Sequence, residues 1–235
     1  MAFSFIKMPD GRKPAERLYF VTMDEAPYDP LQQVKMACAA GILWVQLRMK
    51  QVSDAVFLET ARAAKKICDT YGSHLILNDR VEIAREVRPY GVHVGLEDMS
   101  VSEVRSLLGE DMLIGGTANT AEDILLHCQQ GADYIGLGPY RYTATKKKLS
   151  PVLGLEGYQK IMTTLHSQQL SIPVIAIGGI RAEDLSGLLA AGIHGIAFSG
   201  LLIQAEDKKA LVKTLQDSIQ RSLTIKTTDY ADDRG

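Results

Sequence analysis

Eight times along this chain a short, β-rich apolar run is followed by a longer stretch with helical spacing, and this alternation limits the fold more than any other feature. The strand-like runs are 17–22, 43–48, 74–78, 91–95, 112–116, 133–138, 173–178 and 195–199. Their length and their content of Val, Ile, Leu and aromatic residues are those of strands. Asp54–Tyr71 represents the stretches between them: Val56, Phe57, Ala61, Ala64 and Ile67 fall on one helical stripe. Ser53, Ser100 and Thr120 precede such stretches and suit helix N-caps, where a side-chain oxygen accepts from a free N–H of the first turn. Gly41, Gly72, Gly131 and Gly192 stand where helices end before returning strands. Strands joined by crossover helices pair in parallel. Eight such units in 235 residues, with no linker and no second composition type, predict an α/β protein built as a single (β/α)8 barrel rather than an open sheet. The expected layout is an N-terminal extension over 1–16, a barrel over 17–222 and a polar, flexible C-terminal tail over 223–235.

Bulk properties narrow the function. A formal net charge of −2 gives no basic field for nucleic acid, so a nucleic-acid partner is not expected. Cys38, Cys68 and Cys128 are odd in number and widely spaced, with no zinc-type pairing, and fit a reducing compartment. The first twenty residues lack a signal-peptide apolar run, and no stretch reaches the roughly 20 apolar residues of a membrane span. A cytoplasmic enzyme without membrane contact is expected; the sequence leaves a homo-oligomer open.

In an α/β barrel the active site forms at the C-terminal ends of the strands. The second strand ends in Gln46-Leu47-Arg48-Met49-Lys50, where period-two alternation puts Gln46, Arg48 and Lys50 on one face. The third ends in Asn78-Asp79, the fourth in Gly95-Leu96-Glu97-Asp98, and the fifth in Thr117-Ala118-Asn119-Thr120. The sixth runs into an unusually long connection, 139–155, that contains Arg141, Thr143, Thr145 and Lys146. The seventh ends in Gly178-Gly179-Ile180 and the eighth in Phe198-Ser199-Gly200. Each alone has a bland account: solvated charges, a helix cap, a tight turn, an ion pair between the aspartates and nearby cations. Together, on one rim, they form a site. Arg48, Lys50 and Lys146 suit phosphate. Asp79 and Asp98 are hard oxygen donors of the kind Mg2+ takes beside substrate phosphates. The glycines after the seventh and eighth strands match a barrel phosphate site and imply a second phosphate. No nucleophile–base pair is evident, and His93, inside a strand, reads as a packed core histidine. The inventory suits a reaction that needs charge stabilisation of a leaving group more than proton transfer.

Read in order, QLRMK, LND, GVHVGLED, the GLGP…TATK loop, AIGGI and the final FSG resemble the motifs of the thiamine phosphate synthase family, over roughly residues 17–220. The resemblance implies a Mg2+-dependent transferase that couples hydroxymethylpyrimidine diphosphate with a thiazole (carboxy-)phosphate and releases pyrophosphate. It further implies that Gln46, Arg48, Lys50, Asn78 and Lys146 hold the pyrimidine diphosphate, with Thr117 as a pyrophosphate contact, and that Asp79 and Asp98 bind the metal. Thr143, Thr145 and the backbone at Gly179, Phe198 and Ser199 would hold the thiazole phosphate. Of these, Arg48, Lys50, Lys146 and Thr117 would be catalytic. Two departures stand out. Thr117 and Asn119 occupy positions where the family usually has Ser and His, and Phe198 replaces a small aliphatic residue, which is expected to reshape the thiazole pocket. Related thiazole tautomerases rely on a histidine near the fifth strand end; Asn119 there favours the synthase.

Overall fold

The computed structural model describes residues 15–142 and 151–232, with side chains through Thr224. Eight parallel strands close into a barrel in the order β1 to β8, and β1 pairs with β8. The strands are β1 Leu18–Val21, β2 Trp44–Leu47, β3 His74–Asn78, β4 Gly91–Val94, β5 Leu113–Ala118, β6 Tyr134–Leu137, β7 Val174–Ile177 and β8 Gly195–Phe198. The helices are α1 Pro30–Ala39, α2 Asp54–Tyr71, α3 Val81–Val87, α4 Val101–Leu108, α5 Ala121–Gln129, α6 Gly154–Ser167, α7 Asp184–Ala190, α8 Gly200–Gln204 and α9 Lys208–Asp232. All eight sequence-read strands are present, most of them trimmed by a residue at one or both ends.

The caps act as their chemistry predicts. Ser53 accepts from the Val56 N–H, Ser100 from Glu103 and Thr120 from Asp123, the last two with reciprocal capping boxes. Gly72 closes α2 in the left-handed conformation. The segment from residue 223 continues α9 to Asp232, and Leu223 packs against the core. That segment is polar, but α9 already runs along the barrel, and extending a helix adds one hydrogen bond for each residue fixed.

Strand alternation divides the core into two layers. Leu18, Phe20, Val45, Leu47, Leu75, Leu77, Val92, Ile135, Ile196 and Phe198 face outward and meet the helices. Tyr19, Val21, Trp44, Ile76, Leu113, Tyr134 and Ile175 fill the barrel interior. The ring of Trp44 lies 4.9 Å from that of Tyr134 and 5.5 Å from that of Tyr19. This aromatic plug makes the barrel a packed core and confines chemistry to its mouth.

Gly115 on β5 makes room for the plug. A Cβ there would overlap the Tyr134 ring and come within 2.6 Å of its hydroxyl. Gly115→Ala is expected to destabilise the barrel by about 1–3 kcal/mol, the usual range for an overpacked core. Denaturant melts of the two proteins give this number directly, and equal midpoints would contradict the packing.

Candidate active site

Barrel order decides which rim residues can cooperate. The ends of β2, β3 and β4 are neighbours, so Arg48, Lys50, Asp79 and Asp98 share one side of the mouth. The Gly178–Gly179 turn after β7 and Ser199 after β8 sit on the other side.

Asp79 follows β3 directly. Its N–H donates to the His93 carbonyl at 2.9 Å, which carries the β3–β4 ladder one residue past the strand. Asp79 and Arg80 then both take positive φ, 59° and 25°. Such backbone is unfavourable for residues with a Cβ, though Asp tolerates it better than most. Arg80 is held in this turn by an ion pair with Asp54, a hydrogen bond to the Val52 carbonyl and the face of Phe57. The bend directs the Asp79 carboxylate to the rim, where Lys50 Nζ donates to it at 3.0 Å. Asp98 arrives from a tight turn after β4, its Oδ2 accepting from the Gly95 N–H at 2.8 Å.

The two carboxylates stand beside each other on this side of the rim. Partial burial, then the neighbouring Asp79, raise the Asp98 carboxyl above the usual carboxylate range, against the pull of Lys50. They line an open hollow of about 300 Å3 with Arg80, Val94 and Met99 among its walls. Two facing carboxylates with one ammonium are under-neutralised, and their hard oxygens fit a divalent cation such as Mg2+. Among the described residues no group of three or more His, Cys, Asp or Glu side chains could hold a metal. A cation here would therefore complete its shell with substrate oxygens and water, the usual arrangement for Mg2+.

Arg48 is fixed at its backbone by Thr22, whose hydroxyl donates to the Arg48 carbonyl at 3.0 Å and accepts from its N–H at 2.8 Å. Its guanidinium lies 3.4 Å from Asp24, a partner on the β1 rim that no sequence motif marked. Gln46 is buried inside the barrel, and Asn78 and Thr117 are half-buried at its mouth. His93 is packed in the core as its place in the strand predicts, and its ring nitrogens contact the Tyr134 hydroxyl and Thr117 Oγ1. Asn119 donates to the Gly138 carbonyl, so it ties β5 to the start of the long connection. Thr143, Thr145 and Lys146 lie outside the described residues.

On the far side, Gly178 and Gly179 take φ of 98° and 64°, which only glycine adopts readily. Arg141 anchors this turn. Its N–H donates to the Gly178 carbonyl at 2.9 Å, its guanidinium to the Gly179 carbonyl at 3.0 Å, and it forms a two-point ion pair with Asp184. Burial alone would raise the Asp184 carboxyl, but Arg141 and the Arg181 N–H outweigh it and hold it below the usual range. Arg141 thus joins the base of the long connection to the glycine turn and neutralises an acid beside it. The sequence placed Arg141 in the long connection but carried no sign of its partner Asp184, 43 positions away. One expectation needs correcting: Phe198 is buried in the outer layer against the helices, so its ring does not reshape a pocket at the mouth. Strand parity turns it outward.

A (β/α)8 barrel with a carboxylate pair and cations on one side of its mouth, and a glycine turn on the other, defines a class: barrel enzymes that act on phosphorylated substrates. Residues 18–202 match the family described as thiamine monophosphate synthase. The chain is 47% identical over 190 residues to a thiamine-phosphate synthase of Bacteroides fragilis, covering 81% of this chain and 93% of that one. It is 38% identical to that of Flavobacterium johnsoniae, over 89% of this chain and 99% of the relative. A solved thiamine phosphate pyrophosphorylase from Pyrococcus furiosus superposes with a TM-score of 0.75 at 28% identity, covering 88% and 96% of the two chains. The chain belongs to the thiamine monophosphate synthase family. No helix among the described residues is long and apolar enough to cross a membrane.

Proposed function

We propose that the chain is a cytoplasmic transferase that joins hydroxymethylpyrimidine diphosphate to a thiazole phosphate, giving thiamine phosphate and pyrophosphate. The observation that carries this reading is the facing pair Asp79 and Asp98 with Lys50, set across the mouth from the Gly178–Gly179 turn. One side suits a metal-bound diphosphate and the other a second, separate phosphate. Family membership over residues 18–202 supports the same reaction.

In this reading Gln46, Asn78 and Thr117 orient the pyrimidine diphosphate, while Arg48, Lys50 and Lys146 meet its diphosphate oxygens. Asp79 and Asp98 would hold Mg2+, which would supply positive charge to the departing diphosphate. The carbon–oxygen bond between the methylene and the diphosphate breaks, and its electron pair leaves with pyrophosphate. The electron-rich aminopyrimidine stabilises the positive methylene that remains. The thiazole phosphate is held by Thr143, Thr145, the Gly179 N–H and the Phe198–Ser199 backbone. Its ring nitrogen then donates a lone pair to the methylene, forming the new carbon–nitrogen bond. The residues supply position and preorganised charge, and no side chain needs to exchange a proton with the reacting atoms.

The test is to incubate the purified protein with both substrates, with Mg2+ or with EDTA, and to follow thiamine phosphate by mass. Product is expected with metal and is expected to fall to background with EDTA. Equal product in EDTA would remove the carboxylates' role as metal ligands. No product from folded protein with metal would overturn the reaction itself.

A further inference from the structure

A line of buried polar side chains crosses the barrel interior beneath the mouth. Gln46 Nε2 donates to the Tyr19 hydroxyl at 2.7 Å, and Tyr19 lies 3.0 Å from the Tyr134 hydroxyl. Tyr134 lies 3.1 Å from His93 Nδ1, and His93 Nε2 lies 3.0 Å from Thr117 Oγ1. Five strands contribute one member each: β2, β1, β6, β4 and β5. Backbone has been cleared for it. A Cβ on Gly115 would overlap Tyr134, and one on Gly136 would come within 3.0 Å of His93 Cε1.

Counting protons fixes the direction of the whole line. A phenol has one proton to donate. Tyr19 accepts from Gln46, and its own proton, buried with the plug, goes to Tyr134. The single Tyr134 proton then goes to His93 Nδ1, which must be unprotonated. The His93 proton therefore resides on Nε2 and is donated to Thr117. Thr117 uses a lone pair to accept it and keeps its own proton for the mouth. At the other end Gln46 spends an N–H on Tyr19 and retains its amide oxygen as an acceptor.

We propose that this line sets the hydrogen-bonding sense of both substrate-facing ends, with Tyr19, Tyr134 and His93 as positioning residues. The inference rests on the reaction proposed above. Thr117 is held as a donor, which matches a diphosphate oxygen, and Gln46 as an acceptor, which matches an exocyclic amine of the pyrimidine. A fixed donor avoids the reorganisation that a freely rotating hydroxyl would need when the anion arrives.

Two measurements test it. Long-range 1H–15N NMR of the histidine-labelled protein, with the His93 signals assigned by their loss in His93→Asn, should show His93 protonated on Nε2. Steady-state kinetics of Tyr134→Phe should show the KM for the pyrimidine diphosphate rising about tenfold, the scale of one hydrogen bond. The KM for the thiazole phosphate should not move. Thr117→Val should show a similar rise, and Tyr134→Phe should add nothing on that background, because it acts through Thr117. Thr117→Ser should restore wild-type KM. A proton on His93 Nδ1 would reverse the line and overturn the proposal. So would equal rises in both KM values, or effects of Tyr134→Phe and Thr117→Val that multiply. If Tyr134→Phe does not fold, the His93→Asn protein made for the assignment removes the imidazole that donates to Thr117 and carries the same kinetic expectations. Absence of product from folded wild-type protein would sink the reaction instead, and the His93 tautomer would still decide the direction of the line.

Discussion

Asp79→Asn is expected to lower kcat/KM by on the order of a thousandfold while leaving the fold intact, the scale of losing a preorganised charge at a developing anion. Asparagine matches aspartate in shape and tolerates the positive φ of 59° at this position, so the turn itself is preserved. What is lost is the charge. The Asp98 carboxylate then faces a neutral amide instead of a second carboxylate, and the pair can no longer balance a divalent cation. Lys50 loses its partner, but an ion pair this exposed contributes only about 0–1 kcal/mol. The melting temperature should therefore shift by no more than about 4 °C. Raising Mg2+ should recover part of the rate, because Asp98 and the substrate oxygens remain. Asp79→Ala adds backbone strain and is the poorer probe for that reason. Near-normal turnover of Asp79→Asn at physiological Mg2+ would exclude this carboxylate from the metal site.

The opposite result is expected at the other end of the barrel. Arg105 on α4 and Asp133, just before β6, form an ion pair at 2.7 Å that is 11% and 4% exposed. Arg105 also donates to the carbonyls of Met112 at 2.7 Å, Gly131 at 3.0 Å and Gly109 at 3.1 Å. The same Asp133 oxygen accepts the Ile114 N–H at 2.7 Å. One guanidinium thus fastens the loops that enter β5 and β6. Arg105→Met leaves a buried carboxylate without its cation and removes donors from several carbonyls. Stability should fall by about 3–5 kcal/mol. For a chain of this size that is a drop of roughly 6–20 °C in melting temperature. Below the transition, kcat/KM should match wild type, since the pair lies at the N-terminal ends of the strands, away from the mouth. A stable but inactive Arg105→Met protein would contradict this assignment.

The fold was largely legible in the sequence because its evidence is local. Strand runs such as HLILN, caps such as Ser100 with Glu103, and the glycines after helices each act within a few residues. The rim motifs were legible too, since barrel topology fixes which strand ends meet. What escaped are groups whose partners lie far along the chain. Arg141 with Asp184 and Arg105 with Asp133 carry no local signal, because either arginine could equally be a solvated charge. Tyr19 and Tyr134 look like ordinary strand aromatics; their hydroxyls acquire meaning only once β1 and β6 face each other inside the barrel. The helical run of α9 past residue 223 was hidden by its polar composition.

Closure of β8 on β1 also has a consequence during synthesis. Arg17 donates to the His194 carbonyl across 177 positions of sequence. The ribosome delivers β1 before β8, so the ring of hydrogen bonds can be completed only when residues through Phe198 have emerged. Until then β1 presents an open edge, the kind of surface on which nascent chains aggregate. Ribosome-bound chains that end before Gly195 should therefore depend most on chaperones, and activity should appear as a single late event rather than grow with chain length.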